Sequence, residues 1–525
     1  MSEIVTLSLL VFAGSLLGTA FMRRVAPRFG WIAQPRKDRW HQKPTALLGG
    51  LGFYPFFLLG MLWLLLRWPG LAEVRLFDMF DMTAPARLPV AMILGTMLMF
   101  SAGLLDDFRR FSPATKLIFQ FVATSIVILA GGVFPLTIFR TVNILVTYFW
   151  FIGIMNAVNM LDNMDGLCAG VVLIASLTIL MLAGMGVWPE GKIPMIIPVA
   201  AIFAASLAGF LIHNWPPAAI FMGDCGSMFV GFVLATLTMP GSLSGRLGIG
   251  QFHDAFQSVM TLIIPSAVLA IPIFDTTLVT LTRIWRSQRP SEGGRDHSSH
   301  RLVGLGFSEK KAVLVLYSLA ALGGVVALMM QRAPNLALPL AGFFVLALVM
   351  AGVYLGRVRV EIPDIGQPPP SWTPLVTNLL YKKQAGLVAL DGVLALLCFY
   401  SAYLLRFGGM LDVQVSDAAI HALPVVVACC LVVNFSSKMY DGQWRLIAVA
   451  DVPVHAMAAA GGAMASLALV TLLTHFGLGH SRSAYLIFGV LYFLALVASR
   501  VSFRVLDSIV ARSVQKQDLG GESDG

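Results

Sequence analysis

The chain has 525 residues, of which 58% are hydrophobic and only 12% are charged. This composition excludes an ordinary water-soluble domain and indicates a polytopic membrane protein. The formal charge of +9 could attract nucleic acid, but basic loops in a membrane protein more often report orientation and contacts with anionic lipids or substrates. We therefore expect a lipid bilayer as partner, and no nucleic acid.

Apolar stretches predict an all-α fold of about fifteen membrane helices. Their centres lie near residues 13, 57, 97, 125, 150, 177, 204, 234, 270, 321, 346, 396, 429, 466 and 492. Met1–Met22 is followed by two arginines and by no cleavage site, so we expect a first membrane helix and not a removed signal peptide. The ninth stretch, from about Gln257 to Thr282, is long and carries Pro265 and Pro272, so we expect it to tilt or kink.

Lys and Arg residues are distributed unevenly between alternate connections of these helices. The connections on one side carry 26 of them, and those on the other side carry 8. By the positive-inside rule the basic side is cytoplasmic, with the amino end outside and the carboxyl end inside. The polar clusters described next all fall on the basic side, which predicts a single cytoplasmic active site.

A polar segment divides the chain. Residues 357–385 include three consecutive prolines and contain no apolar run, as is typical of a linker. We expect a domain of about eleven spans at residues 1–356, a cytoplasmic linker at 357–385, a four-helix membrane module at 386–508 and a cytoplasmic tail at 509–525.

Two amides and two carboxylates, Asn156, Asn159, Asp162 and Asp165, lie between two apolar runs. Polar groups at the edge of hydrocarbon are costly and often mark a site. Three-residue steps on a helix fall back by about 60° each, so the four groups cannot all face one ligand from a straight helix. We expect either a helix break near Asn163–Gly166 or a pocket that wraps the helix end, with simple helix capping as the alternative.

Two further clusters are acidic. Asp106 and Asp107 end a predicted span, and Lys116 follows; adjacent carboxylates repel, so one of them needs a cation or a proton. Asp224 is flanked by two glycines, which suits a turn that presents a carboxylate to a hard cation. A solvated helix end and a helix N-cap are the respective structural alternatives.

Two basic segments complete the set. His297, His300 and Arg301 share an arginine-rich loop, and Arg36 and Lys37 lie in a basic segment near the amino end. Histidine and arginine together suit phosphate oxygens, although a solvated loop and a topology signal are the plain alternatives. The five cysteines form no Cys-x-x-Cys pair, so neither a disulfide framework nor a zinc site is indicated.

Together these clusters supply what phosphoryl transfer requires: a hard-cation site, acids, and cations for the phosphate charge. Along the chain the motifs are Arg36-Lys37 with His41 and Gly49-Gly50; Asp106-Asp107 with Lys116 and Gln120; Asn156, Asn159, Asp162 and Asp165-Gly166; Phe221-Met-Gly-Asp224; Pro272-Ile-Phe-Asp275; and His297-x-x-His300. In this order the first 355 or so residues resemble the polyprenyl-phosphate N-acetylhexosamine-1-phosphate transferase family, the undecaprenyl-phosphate GlcNAc-1-phosphate transferase-like members of glycosyltransferase family 4.

The resemblance implies an activity and its cofactor. Such enzymes move a sugar-1-phosphate from a UDP-N-acetylhexosamine onto undecaprenyl or another polyprenyl phosphate, release UMP, and lie in the bacterial inner membrane with the active site towards the cytoplasm. Asn159 and Asp224 would hold Mg²⁺, for which Mn²⁺ is an alternative. Partners implied are the two substrates, a second copy of the chain in a homodimer, or downstream enzymes of glycan synthesis.

It also implies roles for the remaining residues. Asp106, Asp107, Asp162 and Asp165 form the catalytic set, with the first two at the lipid phosphate and the last two lining the nucleotide-sugar pocket. Substrate-binding residues would be Lys116, Asn156, His297, His300, Arg301, Arg36 and Lys37. Asp275 lies within a span, and we expect a structural or lipid-site role for it.

The sequence departs from the family pattern at two places, and one of them distinguishes between branches of the family. Asn163 stands where the family usually has glycine, and the histidine loop reads Asp-His-Ser-Ser-His without consecutive histidines. The histidine loop argues against the peptidoglycan branch and favours the branch that starts O-antigen, teichoic-acid or capsule-type glycans. The branch that transfers phospho-N-acetylmuramoyl-pentapeptide is the alternative, and a transporter or a structural scaffold is a more distant one.

The last part of the chain, about 382–508, resembles the four-span membrane region of nucleoside-diphosphate-sugar epimerase/dehydratase proteins of polysaccharide synthesis. The matching residues are Asp391-Gly392, Tyr403-Leu-Leu-Arg-Phe407, Tyr440-Asp-Gly-Gln-Trp-Arg445, Ser481-Arg-Ser483, and Ser499-Arg500 with Arg504. No Gly-x-Gly-x-x-Gly that opens a dinucleotide-binding unit occurs there. We therefore expect a docking or oligomerisation role without redox or epimerase activity.

Overall fold

A computed structural model describes residues 2–34, 44–67, 87–186, 194–239, 255–285, 288, 294, 296–356, 358, 383–409, 413–437, 439–440, 451–473 and 481–521. The basic segment with Arg36, Lys37 and His41 lies outside these ranges, as does nearly all of the expected linker. Predictions for those residues stay predictions.

Seventeen α-helices occur in the described ranges. They are α1 Ser2–Val25, α2 Gly50–Arg67, α3 Arg87–Arg109, α4 Pro113–Leu129, α5 Arg140–Leu161, α6 Leu167–Gly184, α7 Ile196–Asn214, α8 Asp224–Leu237, α9 Ala255–Val268, α10 Ala270–Trp285, α11 Ser298–Gly304, α12 Glu309–Arg332, α13 Pro334–Leu355, α14 Lys383–Arg406, α15 Val413–Ser436, α16 Val452–Leu473 and α17 Arg482–Gly521. The last helix continues through most of the expected tail.

The all-α membrane fold is confirmed. In the described residues, twelve helices are long and apolar enough to cross a membrane, and α4 and α8 are shorter apolar helices. A bent pair, Met260–Val268 and Ala270–Ile284, meets at 85° and accounts for the long ninth stretch. These elements correspond to the fifteen apolar segments expected from the sequence, and the kink falls between the two prolines.

Helix α8 lies at the centre of the larger core. Every residue of α8 after Asp224 is buried, with α2, α3 and α5 packed around it. A side chain at Gly103 on α3 would overlap the carbonyl oxygen of Asp224, and one at Gly231 on α8 would lie 2.8 Å from Met155 Cα. Small residues allow this close approach, as is common between membrane helices.

A short β-pair connects the amino-terminal region to the start of α8. Strand β1, Ile32–Ala33, pairs antiparallel with β2, Thr45–Ala46. Ala46 also forms a parallel bridge with Ile220, and the Gly49 N–H donates to the Phe221 carbonyl oxygen at 2.8 Å. Strand β2, which follows the basic segment 35–43, therefore lies beside the chain that leads to Asp224, and β1, which precedes that segment, pairs with β2.

The four carboxyl-terminal helices α14–α17 surround a second buried cluster. At its centre the Arg500 guanidinium donates to both oxygens of Asp391, at 2.7 and 2.8 Å. Tyr440 donates to Asp391 at 2.9 Å, and Asn434 donates to the Tyr492 hydroxyl at 2.9 Å. A buried pair of opposite charges is tolerated because each group neutralises the other and supplies its hydrogen bonds.

Candidate active site

Four polar side chains meet where α3, α4, α5 and α8 come together, and we call them the lysine cluster: Asp106, Lys116, Asn159 and Asp224. Lys116 forms an ion pair with Asp106 and lies 3.2 Å from Asp224 Oδ2, so its ammonium bridges two carboxylates. Asn159 donates from Nδ2 to Asp224 Oδ1 at 2.6 Å and to Ser227 Oγ at 2.8 Å. The Asp106 side chain is 2% exposed and that of Asp224 is 32% exposed, so the cluster opens towards solvent on the Asp224 side.

Asp107 faces a different neighbour. Its Oδ1 accepts the Asp224 N–H and its Oδ2 accepts the Cys225 N–H, each at 2.9 Å. These amides belong to the first turn of α8, where the N–H groups have no partner within the helix and a negative charge is favourable. Gly223, with a φ of +76°, turns the chain into that helix. The arrangement favours a positioning role for Asp107 over the catalytic role that we expected.

The helix break expected near Asn163–Gly166 is confirmed. Helix α5 ends at Leu161, Asp162 caps it, and α6 begins at Leu167 after Gly166, which has a φ of +72°. We call residues 162–166 the acid turn. Asp165 Oδ2 accepts the Ala218 N–H at 2.7 Å, which joins the acid turn to the segment after α7.

Asn156, one turn before Asn159, is engaged with α4. It exchanges hydrogen bonds with Gln120 at 3.0 and 3.2 Å, and its Nδ2 also donates to the Ile152 carbonyl oxygen. Since both ends of its amide are occupied within the helix bundle, the contacts favour a structural role over the expected substrate contact.

The histidine segment, residues 296–304, comprises Asp296, His297 and α11. His297 Nδ1 lies 2.8 Å from Asp275 Oδ2, and the Ser298 N–H donates to Asp275 Oδ1 at 2.7 Å. Asp275 therefore has the structural role that was one of our two expectations, since it fastens the segment to α10.

Two arginines complete this attachment. Arg283 donates two hydrogen bonds to Asp296, at 2.8 and 2.7 Å. Burial alone would raise the pKa of Asp296, but the bound guanidinium holds that pKa below its usual range. Arg301 is fully buried and donates to the carbonyl oxygens of Asp296 and Leu355. These contacts direct the charge of Arg301 into the protein, and they favour a structural role over the substrate contact that we expected.

A side-chain hydrogen bond joins the two halves of the region. Ser299 Oγ donates to Asn163 Oδ1 at 2.7 Å, so the histidine segment lies directly beside the acid turn. The structure thus places the histidine segment beside the acid turn, and the acid turn directly follows the helix that carries Asn159 of the lysine cluster. Sequence reasoning missed Ser227, Arg283 and Ser299, which carry no signal beyond being polar residues next to recognised motifs.

The lysine cluster offers oxygen ligands suited to a hard divalent cation. Asp106 and Asp224 already converge on one positive charge, and Asn159 is in contact with Asp224. Mg²⁺ commonly uses one or two protein carboxylates and keeps several waters, so this donor set fits it. Asn159 directs its amino group at Asp224, and it would have to present its oxygen to serve as a ligand. Among the described residues no group of three or more His, Cys, Asp or Glu side chains suits a metal.

Comparison with known proteins matches the same region. The model of glycosyl transferase family 4 matches residues 89–242, which include α3 to α8. A probable undecaprenyl-phosphate N-acetylglucosaminyl 1-phosphate transferase of Bacillus subtilis is 29% identical over 338 residues, which cover 61% of this chain and 82% of the relative. The undecaprenyl-phosphate alpha-N-acetylglucosaminyl 1-phosphate transferase of Escherichia coli K12 is 26% identical over 329 residues, or 59% of this chain and 80% of that protein.

A third relative is the decaprenyl-phosphate N-acetylglucosaminephosphotransferase of Mycolicibacterium smegmatis. It is 30% identical over 315 residues, which cover 57% of this chain and 75% of the relative. The similarity thus extends well beyond the family-model match, and the motifs that contain Asp106, Asn159 and Asp224 meet at one site of the fold. On these grounds the family expected from the motifs is confirmed, and the chain belongs to glycosyl transferase family 4.

Proposed function

We propose that this protein transfers an N-acetylhexosamine-1-phosphate from a UDP-sugar to undecaprenyl phosphate or a similar polyprenyl phosphate and releases UMP. The observation that carries the proposal is the lysine cluster: two carboxylates, an amide and an ammonium converge at the end of apolar helices. The relatives named above act on polyprenyl phosphates according to their names. A water-soluble donor and a lipid acceptor would meet at such a place.

The reaction exchanges one phosphoanhydride for another. An oxygen of the lipid phosphate bonds to the sugar-bearing phosphorus of the UDP-sugar, the bond between the two original phosphates breaks, and UMP leaves with the bridging oxygen. This net balance holds for direct attack and for a covalent enzyme intermediate. A lipid phosphate is already anionic at neutral pH, so positioning and charge neutralisation matter more than removal of a proton.

The side chains divide these tasks. Asp224 and Asn159, with Asp106 beside them, would hold Mg²⁺ or Mn²⁺, which supplies positive charge to the pyrophosphate when bound. Lys116 would bind a phosphate oxygen through its ammonium. Asp107 would keep Asp224 in place by fixing the first turn of α8.

The remaining predicted groups border the donor side. Asp162 and Asp165 in the acid turn, and His297 and His300 in the histidine segment, would line the nucleotide-sugar pocket. Arg36 and Lys37 belong to a segment followed by β2, which lies beside the chain leading to Asp224. We propose that they attract the anionic donor from the cytoplasm, the side on which the positive-inside rule predicts this face.

The wider setting follows from the donor and the acceptor. We propose a bacterial inner-membrane enzyme that performs the first membrane step of a cell-envelope polysaccharide of the O-antigen, teichoic-acid or capsule type. The pentapeptide branch is the alternative, and the donor specificity separates the two.

The test is the identity of the released nucleotide. Full-length protein in detergent is incubated with UDP-N-acetylglucosamine, undecaprenyl phosphate and Mg²⁺, and we expect UMP only when the lipid is present. A parallel reaction uses UDP-N-acetylmuramoyl-pentapeptide as donor, and we expect no UMP from it. Release of UDP would indicate transfer of the sugar without its phosphate and would contradict the proposal. Folded protein that releases neither nucleotide would contradict it as well.

A further inference from the structure

The histidine segment is fastened to the helices from three directions. Asp275 holds His297 and the Ser298 N–H from α10. Arg301 extends from the segment to the Leu355 carbonyl oxygen at the end of α13. The third attachment, from Ser299 to Asn163, crosses to the acid turn. The first two hold the segment to its own side of the site, and the third joins the two borders of the expected donor pocket.

The Asn163 amide is oriented for this contact. Its Nδ2 donates to the Met160 carbonyl oxygen at 2.8 Å, one of the carbonyl groups left unpaired at the end of α5. Its Oδ1 is thereby directed to the Ser299 hydroxyl at 2.7 Å. An aspartate here would place a negative oxygen against the Met160 carbonyl, so the position requires an amide rather than a carboxylate.

The bond is separate from the lysine cluster. Neither Asn163 nor Ser299 forms a hydrogen bond or an ion pair with Asp106, Lys116 or Asp224, and the bond between Asn163 and Ser299 is partly buried. Its loss would therefore loosen one wall of the site and leave the predicted phosphate and metal groups in place. If the wall is already held in place, ligand binding does not have to order it. If the wall is loose, the free energy needed to order it weakens the apparent affinity for the ligand.

We propose that Asn163 and Ser299 form a clasp between the acid turn and the histidine segment, and that this clasp sets the affinity for the nucleotide-sugar donor. Both are positioning residues that act through the two walls. This role in donor affinity rests on the proposed function, whereas the clasp itself does not. We expect Ser299→Ala to raise the KM for the UDP-sugar about three- to tenfold, which is the range for loss of one neutral hydrogen bond. Its kcat and its KM for polyprenyl phosphate should stay within about twofold.

Ser298→Ala is the matched control. It removes the buried hydroxyl of the neighbouring serine, which lies beside Asp275 on the α10 side of the segment, and the backbone N–H of Ser298 would still bind Asp275. We expect unchanged kinetics. In a double-mutant cycle, Asn163→Ala with Ser299→Ala should be no worse than Asn163→Ala alone, because the two residues share one interaction.

Hydrogen–deuterium exchange of residues 296–304 without substrate tests the clasp independently of catalysis. We expect faster exchange in Ser299→Ala than in the wild type, and no change in Ser298→Ala. If the wild type released no UMP while exchange rose as expected, the proposed function would fail and the clasp would stand. If the wild type were active, then an unchanged KM in Ser299→Ala, or a fall in kcat alone, would overturn the role in donor affinity. Unchanged exchange would overturn the clasp.

Discussion

Asp106 and Asp107 are adjacent in the chain, and the structure gives them different neighbours. Successive residues of a helix point about 100° apart, so Asp106 meets Lys116 while Asp107 meets the first amides of α8. Because of this difference in direction, Asp106 belongs to the lysine cluster, whereas Asp107 binds the first turn of the helix that carries Asp224.

Asp107→Asn tests the positioning role. An asparagine has one acceptor oxygen, and its amino group would face the second N–H of α8, which leaves a buried donor unpaired at a cost of about 1–3 kcal/mol. We expect lower thermal stability and, because Asp224 would shift, about a hundredfold lower turnover. The control is Asp106→Asn, which should lose turnover without the loss of stability. Full stability in Asp107→Asn with turnover abolished would indicate direct contact with substrate instead.

Asp224→Asn tests the cation site. The substitution keeps the size of the side chain and removes the negative charge that a hard cation favours. We expect loss of nearly all UMP release with expression and melting temperature preserved, since the backbone N–H groups held by Asp107 are unaffected. Activity is measured across a range of Mg²⁺ concentrations. Near-normal activity at ordinary Mg²⁺ would rule out Asp224 as a main ligand.

Sequence patterns identified the candidate groups better than their partners. The spacing of Asn156 to Asp165 predicted either a break in the helix or a pocket that wraps its end, because helical geometry is local, and the structure has the break. The pairing of Asp275 with His297, and the burial of Arg301, depend on how distant helices pack. Arg301 is fully buried and donates to backbone carbonyls. In the sequence, nothing distinguishes it from any other basic residue of a loop.

At the scale of elements, the close packing of α3 on α8 fixes the start of α8. The hydropathy pattern predicted both helices and gave no indication that α8 is enclosed on all sides, since a short apolar helix can be buried in protein or face lipid. The contact depends on Gly103, whose added side chain would overlap the Asp224 carbonyl oxygen.

Gly103→Ala should therefore displace the first turn of α8. The obstructing atom belongs to the backbone, so α3 and α8 must separate; we expect lower stability and reduced UMP release. The control is Gly153→Ala on α5, where an added side chain meets nothing within 4 Å and a helical alanine is favoured over glycine by up to about 1 kcal/mol. A Gly103→Ala protein as stable and active as that control would show that the helices can adjust at no cost.

At the scale of the whole molecule, orientation determines which compartment supplies the donor. The uneven distribution of Lys and Arg predicts a cytoplasmic site. Single cysteines replacing Ser291 and Ser242, which lie outside the described residues, test this in a protein with the five native cysteines removed. In intact cells an impermeant thiol reagent should label position 242 and miss position 291. The reverse pattern would overturn the orientation and, with it, the use of a cytoplasmic UDP-sugar.

The carboxyl-terminal module, α14–α17, has a buried core of its own. Its core is built around Asp391 and Arg500, apart from the lysine cluster, yet Tyr354 at the end of α13 is buried in it. The resemblance to the membrane region of epimerase/dehydratase proteins stays a prediction, as does the division of the chain at residues 357–385. Since α13 precedes the expected linker, removal of the module would expose one face of α13 to lipid. That exposure is tolerable because lipid tails are themselves apolar.

A chain that ends after Pro363 should therefore remain a folded transferase. It keeps the eleven apolar segments before the linker, and it keeps the Leu355 carbonyl that anchors Arg301. We expect UMP release within about threefold of the full-length protein at matched amounts in detergent, which corresponds to roughly 0.7 kcal/mol of barrier. The Asp224→Asn substitution in the shortened chain is the control for residual background. A fall of a hundredfold or more, about 2.7 kcal/mol, in folded protein would show that α14–α17 help to build the active site, and the module would then be part of the catalytic unit rather than a separate docking element.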